Sequence, residues 1–200
     1  MIDEYEGRIS TPVPRILEKY RDEISKALKI SISDQSIFVY EMLRYCLGWV
    51  DKTGEPVKGV PGKALRPSLC LFACESVGGR VPNAMPTAVS LELIHNFSLI
   101  HDEIQDFDEV RHHRPTLWSI WGAPKALVAG DVLRMIADRS LEAYGDIDVG
   151  TTLRQVALLT EACLDMIEGQ YMDISFEGKS SVTLYQYMNM IARKTGALIR

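Results

Sequence analysis

The stretch 90–116, SLELIHNFSLIHDEIQDFDEVRHHRPT, limits what this chain can fold into, because it joins a long apolar helical pattern to a group of carboxylates. Residues 93–100 contain no Asp, Glu, Lys or Arg, so a helix formed there needs neighbouring elements to cover it. At the end of this pattern Asp102 and Asp106 lie one helical turn apart, with Glu103 beside them. Such carboxylates need a cation, and Mg²⁺ usually binds one or two carboxylates together with substrate phosphates. The stretch therefore predicts a buried helix that ends at a magnesium site.

Basic residues follow these carboxylates directly, since residues 111–114 read RHHR. Their side chains are the groups expected around the remaining oxygens of a phosphate. Acidic residues followed by basic ones at a helix end more often form a solvated surface. A solvated helix would carry more charge before Asp102 than this one does, so we favour a diphosphate site.

The rest of the chain shows mainly helical patterns. Apolar residues recur with a helical period in six segments: 14–30, 63–77, 82–102, 123–144, 151–176 and 182–200. Ser33 or Asp34 is a candidate cap for a further helix that ends near Leu47, and the glycines and prolines of 51–62 predict a loop. No alternating strand pattern and no internal repeat is present. We therefore predict an all-α fold, a helical bundle around a central cavity.

Composition narrows the class of protein. The 200 residues, of which 46% are hydrophobic and 24% charged, can form a single domain, 1–200, with a substantial core. The net charge of −5 and the lack of a Lys/Arg run argue against nucleic-acid binding. The acidic start is unlike a signal peptide, and no apolar run is long enough for a transmembrane segment. Four cysteines without CxxC spacing fit a reducing, cytoplasmic setting.

The segment 102–106, DEIQD, followed by Arg111 and His112, resembles the first aspartate-rich motif of the trans-isoprenyl diphosphate synthases, the polyprenyl synthetase family. That motif is written DDxxD and is followed by two arginines. Four more elements resemble the family's in order and spacing: GKALRP at 62–67, AGD at 129–131, GQYMD at 169–173 and KTG at 194–196. The resemblance covers nearly the whole chain. It implies an isoprenoid-synthase-type bundle that condenses isopentenyl diphosphate head-to-tail with an allylic diphosphate, with Mg²⁺ as cofactor and as a homodimer.

The resemblance also implies roles for individual residues. Substrate binding falls to Lys63, Arg66, His95, Arg111, His112 and Asp173. Catalysis falls to Asp102, Asp106, Gln170, Lys194 and Thr195, and metal binding to Asp102, Glu103 and Asp106. Asp131 of the AGD element reads as a structural residue. Phe97, five positions before the motif and next to the small Ser98, is expected to form the floor of the product channel. This pattern resembles the geranylgeranyl type, so we expect a C20 product first and C15 next.

The chain departs from the family pattern in ways that affect these expectations. Glu103 replaces the middle aspartate, and His112 replaces the second arginine, which removes a permanent cation. We therefore expect weaker or pH-dependent binding of isopentenyl diphosphate. The family's second aspartate-rich motif has no counterpart after Lys194, which predicts the N-terminal two-thirds of such an enzyme, truncated at the C-terminus. On that interpretation the chain alone binds diphosphates poorly and turns over little or not at all.

Three alternatives stay open. Glu92 and His95 match the Glu-x-x-His element of di-iron bundles, but no second such element lies on another predicted helix. A class I terpene cyclase would share the fold and the aspartates without needing Lys63 and Arg66. A catalytically silent partner subunit of a prenyl synthase is the non-enzyme alternative, although such subunits tend to lose the aspartates that this chain keeps.

Overall fold

The computed structural model describes residues 15–32, 36–57, 64–142 and 147–200. The helices are α1 (Arg15–Lys19), α2 (Arg21–Ser31), α3 (Val39–Cys46), α4 (Leu65–Ser76), α5 (Val81–Gln105), α6 (Leu117–Trp121), α7 (Ala123–Ser140), α8 (Val149–Phe176) and α9 (Leu184–Lys194). The two strands, β1 (Val110–Arg111) and β2 (Arg114–Pro115), form one short ribbon. The all-α prediction is thereby confirmed. None of the helices in these segments is long and apolar enough to cross a lipid bilayer.

Helix α5 is the element on which the core is built. It packs most extensively against α7 and α4. Its residues Leu93, Ile94 and Ile100 are at most 1% exposed, and burial of each such side chain stabilises the fold by about 1.5–3 kcal/mol. Burial therefore explains the uncharged pattern before Asp102. The acidic residues follow at the C-terminal end of α5, where the helix leaves this core.

Helices α8 and α9 form a pair that makes few contacts with α5. Asp148 caps α8, because its side chain accepts a 3.0 Å hydrogen bond from a backbone N–H of the first turn. Helix α9 begins with a capping box formed by Thr183 and Gln186. Gly169 in the interior of α8 lies against the α9 backbone, where an added Cβ would be 2.7 Å from the Cα of Lys194. This close approach explains the glycine, while the sparse contact between α8 and α5 leaves space between them.

Three helix bounds differ from the predictions. The helix predicted from Ser33 or Asp34 begins at Val39 instead, because residues 36–38 form a turn in front of it. Ser33 and Asp34 themselves lie outside the described residues. The pattern at 14–30 is divided at Tyr20 into α1 and α2, and α7 ends at Ser140 rather than near residue 144.

The last helix is also shorter than predicted. It ends at Lys194, and residues 195–199 form turns instead of continuing the helix to Arg200. Gly196 lies two residues after Lys194, next to the C-cap residue Thr195, and glycine has a helix propensity about 1 kcal/mol poorer than that of alanine. The apolar period beyond Lys194 therefore reflects burial of Ala197 and Leu198 in turns.

The ribbon and the short helix α6 have no counterpart in the sequence predictions. Arg111 pairs with Arg114 across the ribbon, and His112 and His113 form the turn between them with φ angles of +49° and +63°. Two-residue turns with two positive φ angles usually contain glycine or asparagine, and strands of two residues are too short to alternate. The sequence therefore carries no hairpin signal here, although the ribbon decides where Arg111 and His112 lie.

Candidate active site

Two cavities lie along α5. Cavity A, of about 700 Å³, is enclosed by α2, α3, α4, α5 and the ribbon. Cavity B, of about 450 Å³, lies between α5, α8 and α9. Four side chains line both cavities: Arg66, His95, Leu99 and Arg111. The two cavities therefore meet at a dividing wall, formed by these four residues, that contains two guanidinium groups.

Cavity A offers donors for an anion. The Nε atom of Arg66 is buried and has no hydrogen-bond partner among the described residues. Burial lowers the pKa of Arg66, and the charge of Glu92, which also lines cavity A, opposes this shift. Burial likewise lowers the pKa of His95 to about 4, helped by the charges of Arg66 and Arg111. At neutral pH His95 is therefore an uncharged imidazole beside two cations.

Arg111 connects the carboxylates on the two sides of the dividing wall. Its Nη1 donates a 3.3 Å hydrogen bond to Oδ2 of Asp102, and its Nε lies 4.0 Å from Oε1 of Glu103. Asp102 lines cavity B, whereas Glu103 lines cavity A. Two adjacent residues of α5 thus turn their charges to opposite cavities, and one guanidinium lies between them.

Arg114, the last of the four basic residues, contributes to the ribbon's anchorage. Its Nη2 donates a 2.9 Å hydrogen bond to the carbonyl of Val50, and its guanidinium lies 4.2 Å from the Tyr45 ring centroid. The Tyr45 hydroxyl donates a 2.7 Å hydrogen bond to the carbonyl of Pro115. These contacts fix the ribbon against α3 and so hold Arg111 at the dividing wall.

The negative charges of the carboxylates at the end of α5 are only partly balanced by neighbouring cations. Burial raises the pKa of Glu103 to about 7, although Arg111 opposes the shift. Burial and the neighbouring charge of Asp102 raise the pKa of Asp106, which caps the C-terminus of α5. The Oδ1 atom of Asp102 is buried and lies 3.2 Å from Nζ of Lys194. A further cation bound between Asp102 and Asp106 would relieve the repulsion between these two carboxylates.

No preformed metal site accompanies these carboxylates. In the described part of the chain, no group of three or more His, Cys, Asp or Glu side chains is arranged to hold a metal ion. Because Glu103 faces cavity A, the predicted trio of ligands is spread over two sides of α5. The spacing Glu-x-x-His also recurs at Glu109 and His112, but these residues lie around the ribbon and not on a second helix.

Lys194 links the C-terminal end of α9 to both of its neighbours. Its Nζ lies 3.2 Å from Oδ1 of Asp102 and donates a 2.6 Å hydrogen bond to Oδ2 of Asp173 on α8. Burial alone would lower the pKa of Lys194, but the hydrogen bond to Asp173 and the charge of Asp102 together raise it. A cation is thus held next to the carboxylates at the mouth of cavity B.

Polar and aromatic side chains complete cavity B. Gln170 of α8 donates a 3.0 Å hydrogen bond to Gln105 of α5, which closes the gap between these helices. Phe97 lines the cavity with only 8% of its surface exposed, and its ring centroid is 4.6 Å from that of His101. The sequence interpretation missed Gln105 and His101. Their one sequence signal is their position within a turn of Asp102 on the same helix.

The structure brings most of the predicted site residues together. Cavity A is lined by Arg66, His95, Glu103, Arg111 and His112, and cavity B by Arg66, His95, Phe97, Ser98, Asp102, Arg111, Gln170, Lys194 and Thr195. Asp173 joins the second group through Lys194, and Asp131 is 3.7 Å from His101. Lys63 lies outside the described residues. Asp106 is exposed at the end of α5.

Comparison with known proteins agrees with this geometry. The family model for polyprenyl synthetase matches residues 48–200. The (2E,6E)-farnesyl diphosphate synthase of Mycobacterium tuberculosis is 43% identical over 158 residues, 79% of this chain and 43% of the relative. The geranylgeranyl diphosphate synthase of the same organism is 37% identical over 183 residues, 92% of this chain and 52% of the relative.

A solved structure shares the fold. The polyprenyl synthetase from Streptomyces coelicolor superposes with a TM-score of 0.85 at 35% identity, covering 93% of this chain and 54% of the other. The chain spans about half the length of the curated relatives it matches. The match over residues 48–200 and the shared all-α architecture lead to one conclusion: this chain belongs to the polyprenyl synthetase family.

Proposed function

We propose that this chain supplies the substrate sites of a prenyltransferase that joins isopentenyl diphosphate head-to-tail to an allylic diphosphate. The observation that carries this proposal is the pair of adjacent cavities that share the dividing wall with Arg66 and Arg111. Two diphosphate substrates need two anion sites placed so that the hydrocarbon parts of the substrates can meet. Two adjacent cavities with a shared wall meet this requirement. The relatives are a farnesyl and a geranylgeranyl diphosphate synthase, which supports the same reaction class.

Cavity A is the proposed site of isopentenyl diphosphate. The unpaired Nε of Arg66 and the neutral ring of His95 donate to its diphosphate, and His112 at the ribbon turn approaches from the other side. Lys63 is proposed to contribute a further cation. His112 stands where the family pattern has an arginine, so we expect isopentenyl diphosphate to bind here more weakly or in a pH-dependent way.

Cavity B is the proposed site of the allylic diphosphate. Lys194, which pairs with Asp102 and Asp173 in the free chain, turns to the diphosphate when the substrate binds. The bond between carbon and the diphosphate oxygen then breaks, the diphosphate leaves with the electron pair, and the Lys194 charge stabilises it. The dipoles of Gln170 and Thr195 face the allylic cation. The π electrons of isopentenyl diphosphate then form the new carbon–carbon bond, and a proton leaves the neighbouring carbon.

Asp102 and Asp106 are the residues that we propose would hold Mg²⁺, with Glu103 as the third acidic residue of the motif. The pKa of Asp106, which partial burial and the neighbouring charge of Asp102 raise, supports this assignment. When bound, Mg²⁺ supplies charge neutralisation for the departing diphosphate. Protein carboxylates alone do not complete its coordination, which fits the preference of Mg²⁺ for few carboxylates plus phosphate oxygens.

The growing chain extends in cavity B towards Phe97 and Ser98. Phe97 of α5 is buried and lines cavity B together with Met166 of α8. We propose that Phe97 ends the channel and that the product is C20, with C15 next. A homodimer, a cytoplasmic location and a single domain over residues 1–200 remain predictions, and light scattering of the purified chain tests the first.

The test combines binding and turnover. Calorimetry with the 200-residue chain measures the affinity for isopentenyl diphosphate and for an allylic thiodiphosphate separately, with and without Mg²⁺. Radiolabelled isopentenyl diphosphate then reports condensation with geranyl or farnesyl diphosphate. We expect Asp102→Asn to abolish the effect of Mg²⁺ on allylic binding, whereas Asp138→Asn on the outer part of α7 leaves it unchanged. Because this chain alone is expected to bind diphosphates weakly, the titrations extend to millimolar ligand, and if neither diphosphate binds there at any Mg²⁺ concentration, the proposal is wrong. Turnover of an allylic diphosphate without isopentenyl diphosphate would indicate a terpene cyclase instead.

A further inference from the structure

His101 is a partly buried polar residue to which the proposed reaction gives no role. It precedes Asp102 on α5 and lines cavity B. Its Nε2 atom is buried and has no hydrogen-bond partner in the described part of the chain. A buried polar atom without a hydrogen-bond partner destabilises the folded state by about 1–3 kcal/mol. The residues around the His101 ring therefore need to be considered.

Two consecutive residues of α7, Gly130 and Asp131, lie next to the His101 ring. An added Cβ at Gly130 would be 2.5 Å from the His101 Cδ2 atom, so only glycine leaves room for the ring. Asp131 places its Oδ1 3.7 Å from Nε2, which is longer than a hydrogen bond. The Asp131 side chain is 63% exposed, so its carboxylate lies beside Nε2 without a hydrogen bond to it. Helix α7 therefore provides a notch for the ring and a carboxylate next to its Nε2 atom.

The same ring contacts Phe97, one turn earlier on α5. The two ring centroids are 4.6 Å apart with an interplanar angle of 59°. Aromatic pairs in this range attract each other beyond the effect of buried area alone. The orientation of Phe97 therefore depends on His101, and the orientation of His101 depends on Gly130 and Asp131.

We propose that His101 is a positioning residue: lodged in the notch at Gly130 and facing Asp131, it holds the Phe97 ring across cavity B and so limits the length of apolar chain that the cavity accepts. This inference rests on the proposed function in one respect, that prenyl diphosphates bind in cavity B. Gly130 and Asp131 are not among the described residues that line the cavity. Substitution of either residue can therefore move the His101 ring without changing the identity of any residue that lines the cavity.

The experiment measures how affinity depends on chain length. Dissociation constants of C5, C10, C15 and C20 prenyl thiodiphosphates are determined by calorimetry with the 200-residue chain in the presence of Mg²⁺. The readout is the ratio of C20 to C10 affinity, which a general loss of structure would not change selectively. Gly130→Ala pushes the ring towards Phe97, so we expect C20 to lose at least about tenfold relative to C10. Asp131→Ala frees the ring, so we expect C20 to gain about threefold.

Controls separate the possible outcomes. Asp138→Asn removes another acidic charge from α7 that pairs with Arg134, away from the described lining of cavity B, and should leave the ratio unchanged. If the ratio stays at the wild-type value in both Gly130→Ala and Asp131→Ala, the positioning role is refuted. If Gly130→Ala does not fold, the exposed Asp131→Ala decides alone. Failure of the wild-type chain to bind any of the four ligands would remove the proposed function and this inference together, whereas binding with an unmoved ratio removes only the inference.

Discussion

Gly169→Ala tests the close contact between α8 and α9. The added Cβ would be 2.7 Å from the Lys194 Cα and 2.8 Å from the Arg193 carbonyl carbon, both backbone atoms that no rotamer change can move away. Carbon atoms in ordinary contact are about 3.5–4.0 Å apart, so the two helices must separate by roughly 1 Å. Overpacking of this kind costs about 1–3 kcal/mol, and the better helix propensity of alanine returns about 1 kcal/mol. Because the clashing atoms belong to the backbone, the cost lies in the upper part of that range, about 2–3 kcal/mol, and we expect the free energy of unfolding to fall by about 1–2 kcal/mol.

Gly150→Ala in the first turn of the same helix is the matched control. Its added Cβ meets only the Asp148 Oδ1 atom at 3.1 Å, the end of a side chain. Alanine there should leave stability unchanged or raise it by up to about 1 kcal/mol. Urea unfolding followed by far-UV circular dichroism measures both variants, and thermal melts should show a fall of about 3–6 °C for Gly169→Ala alone. If Gly169→Ala is at least as stable as the wild type, the inferred close approach of the α8 and α9 backbones at Gly169 is wrong.

Three further predictions concern the cavities. His112→Arg should tighten isopentenyl diphosphate binding and flatten its pH dependence between about pH 5.5 and 8, and calorimetry showing an already flat wild-type profile would contradict this. Phe97→Ala should favour longer thiodiphosphates, and an unchanged length preference would remove Phe97 from the channel floor. Burial lowers the pKa of His95 from 6.5 to about 4, so its contribution to stability is present above pH 6.5 and is lost as the pH falls through 4. Between pH 6.5 and 4, urea titrations should show the wild type losing on the order of 3 kcal/mol more unfolding free energy than His95→Gln. If the unfolding free energies of the two proteins change equally with pH, His95 is not a neutral imidazole in the folded state.

The centre of the fold could be predicted because its signals are local. The uncharged run 93–100 marks a buried segment of α5, and a glycine inside a long helical pattern at position 169 indicates a close approach. Both follow from the preferences of a single helix, whatever lies beside it. The partner at Gly169 was not predictable, since the α9 backbone comes from a separate segment of the chain.

The arrangement of the site depended on packing between distant segments. Asp102 and Glu103 are neighbours in sequence, yet they line different cavities, because the ribbon, α2, α3 and α4 surround the cavity on one side of α5 and α8 and α9 border the cavity on the other. The ribbon itself has strands of two residues and a turn of two histidines, which gives no recognisable pattern. His101 acquires its partners only from Gly130 and Asp131 on α7. Spacing along one helix cannot show which neighbour each side chain meets.

The placement of Arg111 has a thermodynamic consequence. Its guanidinium borders both cavities and interacts with a carboxylate on each side. An anion bound in one cavity therefore attracts the guanidinium and weakens its electrostatic interaction with groups in the other cavity. Occupancy on the two sides is then linked, and linkage between binding equilibria is reciprocal by necessity. Whatever factor the first ligand imposes on the affinity of the second, the second must impose on the first.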